Sequence, residues 1–121
     1  MPDHDRVEAF ARLVEAGDFI AAIERFYTAD AWMQENADPP RRGRDGLIAH
    51  ERRVMAAFPQ VAARRLGPAL IAGDTVAMRW RFEMRPVEGP PRSFEEVSWQ
   101  LWRDDRIAEE RFFYDPRQMA G

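Results

Sequence analysis

The chain has 121 residues, no cysteine, and 18 basic against 21 acidic side chains, for a formal net charge of -3. That length matches one domain, residues 1–121, with room for a core and one ligand cavity. Disulfides, thiol catalysis and cysteinyl metal sites are excluded, and the charge balance supplies no global field for nucleic acid or an anionic membrane.

Met1 to Val14 is charged throughout and lacks the apolar stretch of a secretory leader, and no later segment approaches the ~20 apolar residues of a membrane span. A soluble, cytoplasmic protein is expected. Within that first segment Val7, Phe10, Ala11 and Val14 recur at helical spacing, and Gly17-Asp18 supplies a stop followed by a fresh N-cap. A second helix is expected over about Phe19 to Thr28, with Ile20, Ile23, Phe26 and Tyr27 on one side. The chain should then turn at Ala29-Asp30 into a short strand, Ala31 to Asn36.

Asp38-Pro39-Pro40 with Gly43 breaks the chain, because prolines remove backbone donors and glycine permits the turn. The neighbouring Arg41, Arg42 and Arg44 read as a solvated basic loop. A third helix should begin near Asp45, with Leu47, Ile48, Val54, Met55 and Phe58 along one stripe and Pro59 closing it. Glu51 lies within that stripe, either as a pocket carboxylate or at its rim; the rim is the expectation. His4 and His50 are the only histidines and stand far apart, so no metal is expected.

From Ala63 the apolar period changes to two. Gly73-Asp74 marks a hairpin, after which Val76, Met78, Trp80, Phe82 and Met84 alternate with polar residues. A turn at Glu88 to Pro91 leads to a long strand, about Ser93 to Arg103, and Asp104-Asp105 turns the chain into a last strand, Ile107 to Asp115. Three helices followed by antiparallel strands imply an α+β fold, with a curved antiparallel sheet wrapped around three N-terminal helices as a cone-shaped α+β barrel. Ligand sites favour the mouths of such enclosures.

The order helix, Gly-Asp break, helix ending in Phe26-Tyr27, strand at Asp30-Ala31, then Pro39-Pro40-Arg-Arg-Gly43-Arg44-Asp45, resembles the nuclear-transport-factor-2-like superfamily. The tail, Trp102-Arg-Asp-Asp-Arg106-Ile107 followed by Arg111-Phe112-Phe113-Tyr114-Asp115, is similar to its closing hairpin. Members include steroid isomerases, limonene-type epoxide hydrolases, SnoaL-type polyketide cyclases, scytalone dehydratases and pocket proteins without chemistry. The resemblance to the isomerases places Glu35 at their proton-shuttling base. It also places Phe10 and Ser98 where those enzymes hold their oxyanion with a tyrosine and a protonated aspartate, so most of that stabilisation is lost. The epoxide hydrolases' Asp-Arg-Asp set falls on Phe82, Trp80 and Phe112, none of which activates water, so that reaction is excluded. Glu35 falls on their asparagine, and Met33 on their tyrosine.

From the residues alone, Met78, Trp80, Phe82 and Met84 form the inner face of one strand, with Phe112 and Tyr114 at period two on the last. Each is core by itself; as a set they should line a cavity. The strand Ser93 to Arg103 has two candidate faces. Pattern alone would bury Val97, Trp99 and Leu101, whereas the family frame turns Ser98, Gln100 and Trp102 inward and leaves the first set to a homodimer contact. Tyr27 offers a hydroxyl at the pocket floor, or sits in the core at a helix end. Glu110 offers a second carboxylate but is expected in solvent, and Glu35 is either a shielded base or a mouth carboxylate paired with Arg42 or Arg44. Asp115 with Pro116 ends the last strand.

The expected function is therefore a small apolar-ligand pocket without cofactor, of steroid-isomerase or polyketide-cyclase type with Glu35 as base. The alternatives are a non-catalytic binder of a small apolar or amphipathic molecule, and a dimeric interaction module.

Overall fold

The computed structural model describes residues 1–119. Its first helix, α1 (His4–Glu15), is capped by Asp3, whose carboxylate accepts from the Asp5 N–H, and it buries Val7, Phe10, Ala11 and Val14. It ends in a Schellman motif: Asp18 N–H bonds Leu13 O, Gly17 N–H bonds Val14 O, and Gly17 takes a φ of 80° that disfavours side chains. The second helix, α2 (Phe19–Phe26), stops before the expected Thr28. Tyr27 is already extended, at φ -107° and ψ 146°, and its N–H still caps the helix on Ile23 O.

Strand β1 therefore runs over Tyr27–Glu35, longer than expected, and Ala29-Asp30 is no turn. Its register against its neighbour shifts between Tyr27 and Trp32, a local irregularity that absorbs the two turn-forming residues without breaking the strand. A two-residue strand β2 (Arg41–Arg42) pairs with it, so the basic triplet is partly in the sheet. Helix α3 (Arg44–Ala57) follows from Gly43, whose N–H bonds Ala31 O at 2.7 Å and whose φ is 87°. The remaining strands are β3 (Gln60–Arg65), β4 (Leu70–Ala72), β5 (Thr75–Arg85), β6 (Arg92–Arg103) and β7 (Arg106–Phe113), closed by a 3-10 turn at Pro116–Met119.

The seven strands form one curved, unclosed sheet in the order β2-β1-β7-β6-β5-β3, with β4 also on β5. The expected α+β class holds. One feature differs: β1 and β7 run parallel, so the sheet is mixed. The long excursion through α3 and β3–β6 supplies the crossover that a parallel pair needs and a hairpin cannot.

Phe10 and Val14 of α1 stand between the packed core and the open part of the interior. Phe10 meets Phe26, Tyr27 and Trp102 edge-to-face, with ring centroids 5.6, 6.0 and 6.3 Å away. Together with Val7 and Ala11 it belongs to the same core as Val76, Met78, Trp102 and Ile107, at one end of the β5–β6–β7 surface. A truncation there such as Leu47→Ala would cost roughly 2–5 kcal/mol. Nothing equivalent fills the other end of β5 and β6. Among the described residues no helix is long and apolar enough to cross a membrane.

Candidate functional site

The unfilled end is a cavity of about 270 Å³. Its apolar walls come from Phe10, Ile23 and Met33, from Trp80, Phe82 and Met84 on β5, from Phe94 on β6, and from Phe112 and Tyr114. Phe82 stacks on Phe94 at 5.4 Å with rings 18° apart, and Trp80 and Tyr114 flank the stack at 6.0 and 5.6 Å. Alternation along β5 produces this wall: every second side chain faces inward, and the register Trp80↔Glu96 and Phe82↔Phe94 carries the same face onto β6.

At the deep end stands Glu110, buried to 2% exposure on β7. The Tyr27 hydroxyl donates to its Oε1, Gln100 Nε2 donates to its Oε2 at 2.7 Å, and Trp102 Nε1 donates to Gln100 Oε1 at 3.0 Å. The indole holds the amide in one orientation, and the amide then presents its N–H₂ to the carboxyl. Burial pushes the Glu110 carboxyl up to about 7; the bonds from Gln100 and Tyr27 oppose that rise, and the charges of Glu35 and Glu51 add to it. Burial, reinforced by Glu110, also drives the Tyr27 phenol well above its ordinary range.

Two further carboxyls line the cavity. Burial raises Glu51 on α3, with Arg41 opposing and Glu35 adding. Burial also lifts Glu96 on β6 well above the usual range, with Glu110 and then Glu35 contributing. Glu35 stands at the end of β1, where Arg41 approaches its Oε2 to 2.6 Å. The contact is a close ion pair without hydrogen-bond alignment, since Glu35 Oε2 and Arg41 Nε are both buried and lack a hydrogen-bond partner. The imidazole of His50 on α3 is held below its usual range by burial and then by Arg41.

Of the residues expected from sequence, Glu35, Phe10, Tyr27, Met33, Trp80, Phe82, Met84, Phe112 and Tyr114 do meet around the cavity. Met78, Ser98, Gln100 and Trp102 do not line it. They face inward as the family frame implied but are buried away from the cavity, with Phe10 of α1 against Trp102, and Ser98 donates a long bond of 3.5 Å to Met78 O. Gln100 and Trp102 act on the cavity only through Glu110. Glu110 lies in the interior rather than in solvent, because β7 is an inner strand of the sheet and Met33↔Glu110 and Gln100↔Glu110 pair side by side. Glu51 is half-buried and is one of the residues lining the cavity, and the partner of Glu35 is Arg41, not Arg42 or Arg44. Glu96, Phe94 and His50 were not anticipated. The alternation of Phe94 and Glu96 with Ser98 and Gln100 was the available signal for two of them.

Together these features define a small α+β protein with a carboxyl-bearing apolar pocket. Residues 7–110 match the SnoaL-like domain model, and the chain belongs to that family. Membership supports a ligand-binding or cyclase-like role. No curated protein matches the chain. Solved structures share its fold: a protein assigned as a SnoaL-like polyketide cyclase from Jannaschia sp. CCS1 is 18% identical with a TM-score of 0.81, covering 95% of this chain and 88% of its own. A protein of unknown function with a cystatin-like fold from Xanthomonas campestris is 20% identical with a TM-score of 0.83, covering 98% and 95%. A hypothetical protein with a ketosteroid-isomerase-like fold from Catenulispora acidiphila, in complex with trimethylamine, is 20% identical with a TM-score of 0.77, covering 91% and 85%.

Proposed function

We propose that this protein binds a small, largely apolar molecule and moves a proton on it, with Glu110 as the proton carrier. One observation carries the reading: a fully buried carboxyl at the deep end of an apolar cavity, clamped by Tyr27 and Gln100, whose pKa burial pushes up to about 7. A group with that acidity is present in both protonation states at neutral pH, which suits one that must give and take a proton in turn. Once Glu110 has taken a proton, its O–H can donate to the Tyr27 oxygen, which frees the phenol proton to bond a carbonyl ligand's oxygen as charge develops there. Glu35 is already ion-paired with Arg41, which supports giving the transfer to Glu110 and leaving Glu35 as a second carboxyl lining the cavity.

The test is deuterium incorporation from heavy water into an enolisable ketone such as 2-tetralone, followed by proton NMR. Exchange above the buffer rate, lost in Glu110→Gln and retained in Glu35→Gln, supports the assignment. Exchange that survives Glu110→Gln but vanishes in Glu35→Gln moves the base to Glu35, and no exchange in the wild type leaves a binder without this chemistry.

We also propose that a second copy covers the outer face of β6 and β7. Trp99, Leu101 and Phe113 are 54%, 41% and 42% exposed there, and Val97 pairs with Phe113 across the two strands. Exposed apolar patches of this kind mark contacts.

A further inference from the structure

The charges around the cavity do not balance. Four elements each contribute one carboxyl: Glu35 from β1, Glu51 from α3, Glu96 from β6 and Glu110 from β7. Against them stand Arg41, already drawn onto Glu35, and the imidazole of His50, which burial and Arg41 keep below its usual range. The hydroxyls of Tyr27 and Tyr114 complete the titratable lining. Glu110 has its donors, but Glu51 and Glu96 accept no hydrogen bond and form no ion pair among the described residues.

Glu51 and Glu96 are half-buried, so each gives up part of its hydration to an otherwise apolar wall, which an apolar side chain facing Trp80 across the β5–β6 pair would not do. A chelated metal ion does not account for them. Among the described residues no three His, Asp or Glu side chains gather as a metal-holding group, so the carboxyls are spread around the cavity instead of converging on one point. The walls between them are rings, Trp80, Phe82, Phe94 and Phe112.

We propose that the ligand of this pocket is a small organic cation, an amine on an aromatic or branched aliphatic body, with its nitrogen toward the carboxyl-bearing wall to which Glu51, Glu96 and Glu110 each contribute. The inference rests on the pocket reading above and adds the ligand's chemical class. Carboxylates offset the ammonium charge, and aromatic faces attract the same cation through their quadrupoles while burying its carbon body. An anionic ligand would find no free positive group. An uncharged one would leave Glu51 and Glu96 without counter-charge. A cavity of about 270 Å³ limits the body to roughly one or two rings, since drug-sized pockets begin at about 300 Å³. Burial raises the pKa of Glu51, Glu96 and Glu110, so amine binding draws protons off them, and affinity for the amine rises with pH.

Three probes of one shape separate the outcomes: phenethylamine, 2-phenylethanol and 3-phenylpropanoate, titrated at pH 7.5 while the Trp80 indole and backbone resonances are followed by NMR. The amine is expected to bind about tenfold or more tightly than the alcohol, with the acid weakest, and calorimetry in two buffers should show proton release. In Glu51→Gln/Glu96→Gln the amine's advantage should fall below about threefold while the alcohol still shifts the Trp80 resonance; Glu96→Gln alone serves if the double variant does not fold. An alcohol that binds the wild type as tightly as the amine overturns the cation and leaves the pocket reading intact. Probes that all leave Trp80 unmoved overturn both.

Discussion

Replacing Glu110 by glutamine isolates the free energy stored in one buried carboxyl. In the folded protein Glu110 keeps its proton up to about 7, whereas in the unfolded chain it loses it at the ordinary 4.5. Between those values the unfolded state gains by ionising and the native state does not, so stability is fully present below about 4.5 and falls as pH rises through about 7. At about 1.4 kcal/mol per pH unit the interval is worth about 3 kcal/mol. Glutamine mimics the neutral acid: its oxygen can accept from Gln100 Nε2, and its amide can donate to the Tyr27 oxygen, which frees the phenol proton to point into the cavity. The variant should therefore match the wild type near pH 4.5 and exceed it by about 3 kcal/mol at pH 8. Urea unfolding followed by tryptophan fluorescence at half-unit steps from pH 4.5 to 8 measures this directly. Glu51 slopes the same way in both proteins and drops out of the difference, whereas Glu96 loses the upward push of the Glu110 charge in the variant, which adds to the difference in the same direction. A difference that stays constant with pH, or shrinks as pH rises, would refute the buried-acid reasoning whatever the stability of either protein.

Three other outcomes follow from the same contacts. Gln100→Leu removes the largest influence holding the Glu110 pKa down, so its carboxyl resonance should titrate above about 7; the stranded Trp102 N–H should also cost about 1–3 kcal/mol in urea unfolding. Arg41→Gln removes the positive charge that lowers both Glu51 and His50, and NMR titration should find both moving upward; a fall in either would contradict the placement of Arg41 at the cavity. Trp99→Glu puts a charge into the centre of the outer apolar patch, and sedimentation should show a dimeric wild type becoming monomeric; a monomeric wild type, or a variant that stays dimeric, removes the sheet-face assembly.

Much of the architecture was written locally. The helical spacing of Val7, Phe10, Ala11 and Val14 is the buried stripe of α1, and Gly17-Asp18 is its Schellman stop. The alternation from Val76 to Met84 makes β5 unmistakable, because a two-residue period of large apolar side chains has one way to pack on a pleated surface. These signals lie within single elements, and so do the interactions that produce them.

What the sequence could not decide was set by partners distant along the chain. On β6 both faces carry large apolar residues, and only the pairing of Trp80 with Glu96 on β5 turns Phe94 inward and leaves Trp99 outside. The inward face then divides into core and cavity: Met78, Ser98, Gln100 and Trp102 are buried away from the open space, while Trp80 and Phe82 line it. Glu110 shows the limit most clearly. It sits in the charged run Glu109-Glu110-Arg111, which by itself reads as solvated. Its burial and its acidity come from Tyr27, 83 positions away, and from Gln100 on the adjacent strand. Desolvation is a property of everything packed around a group, so the sequence determined the fold's framework and the apolar wall, and only the tertiary structure chose which carboxyl would be buried in it.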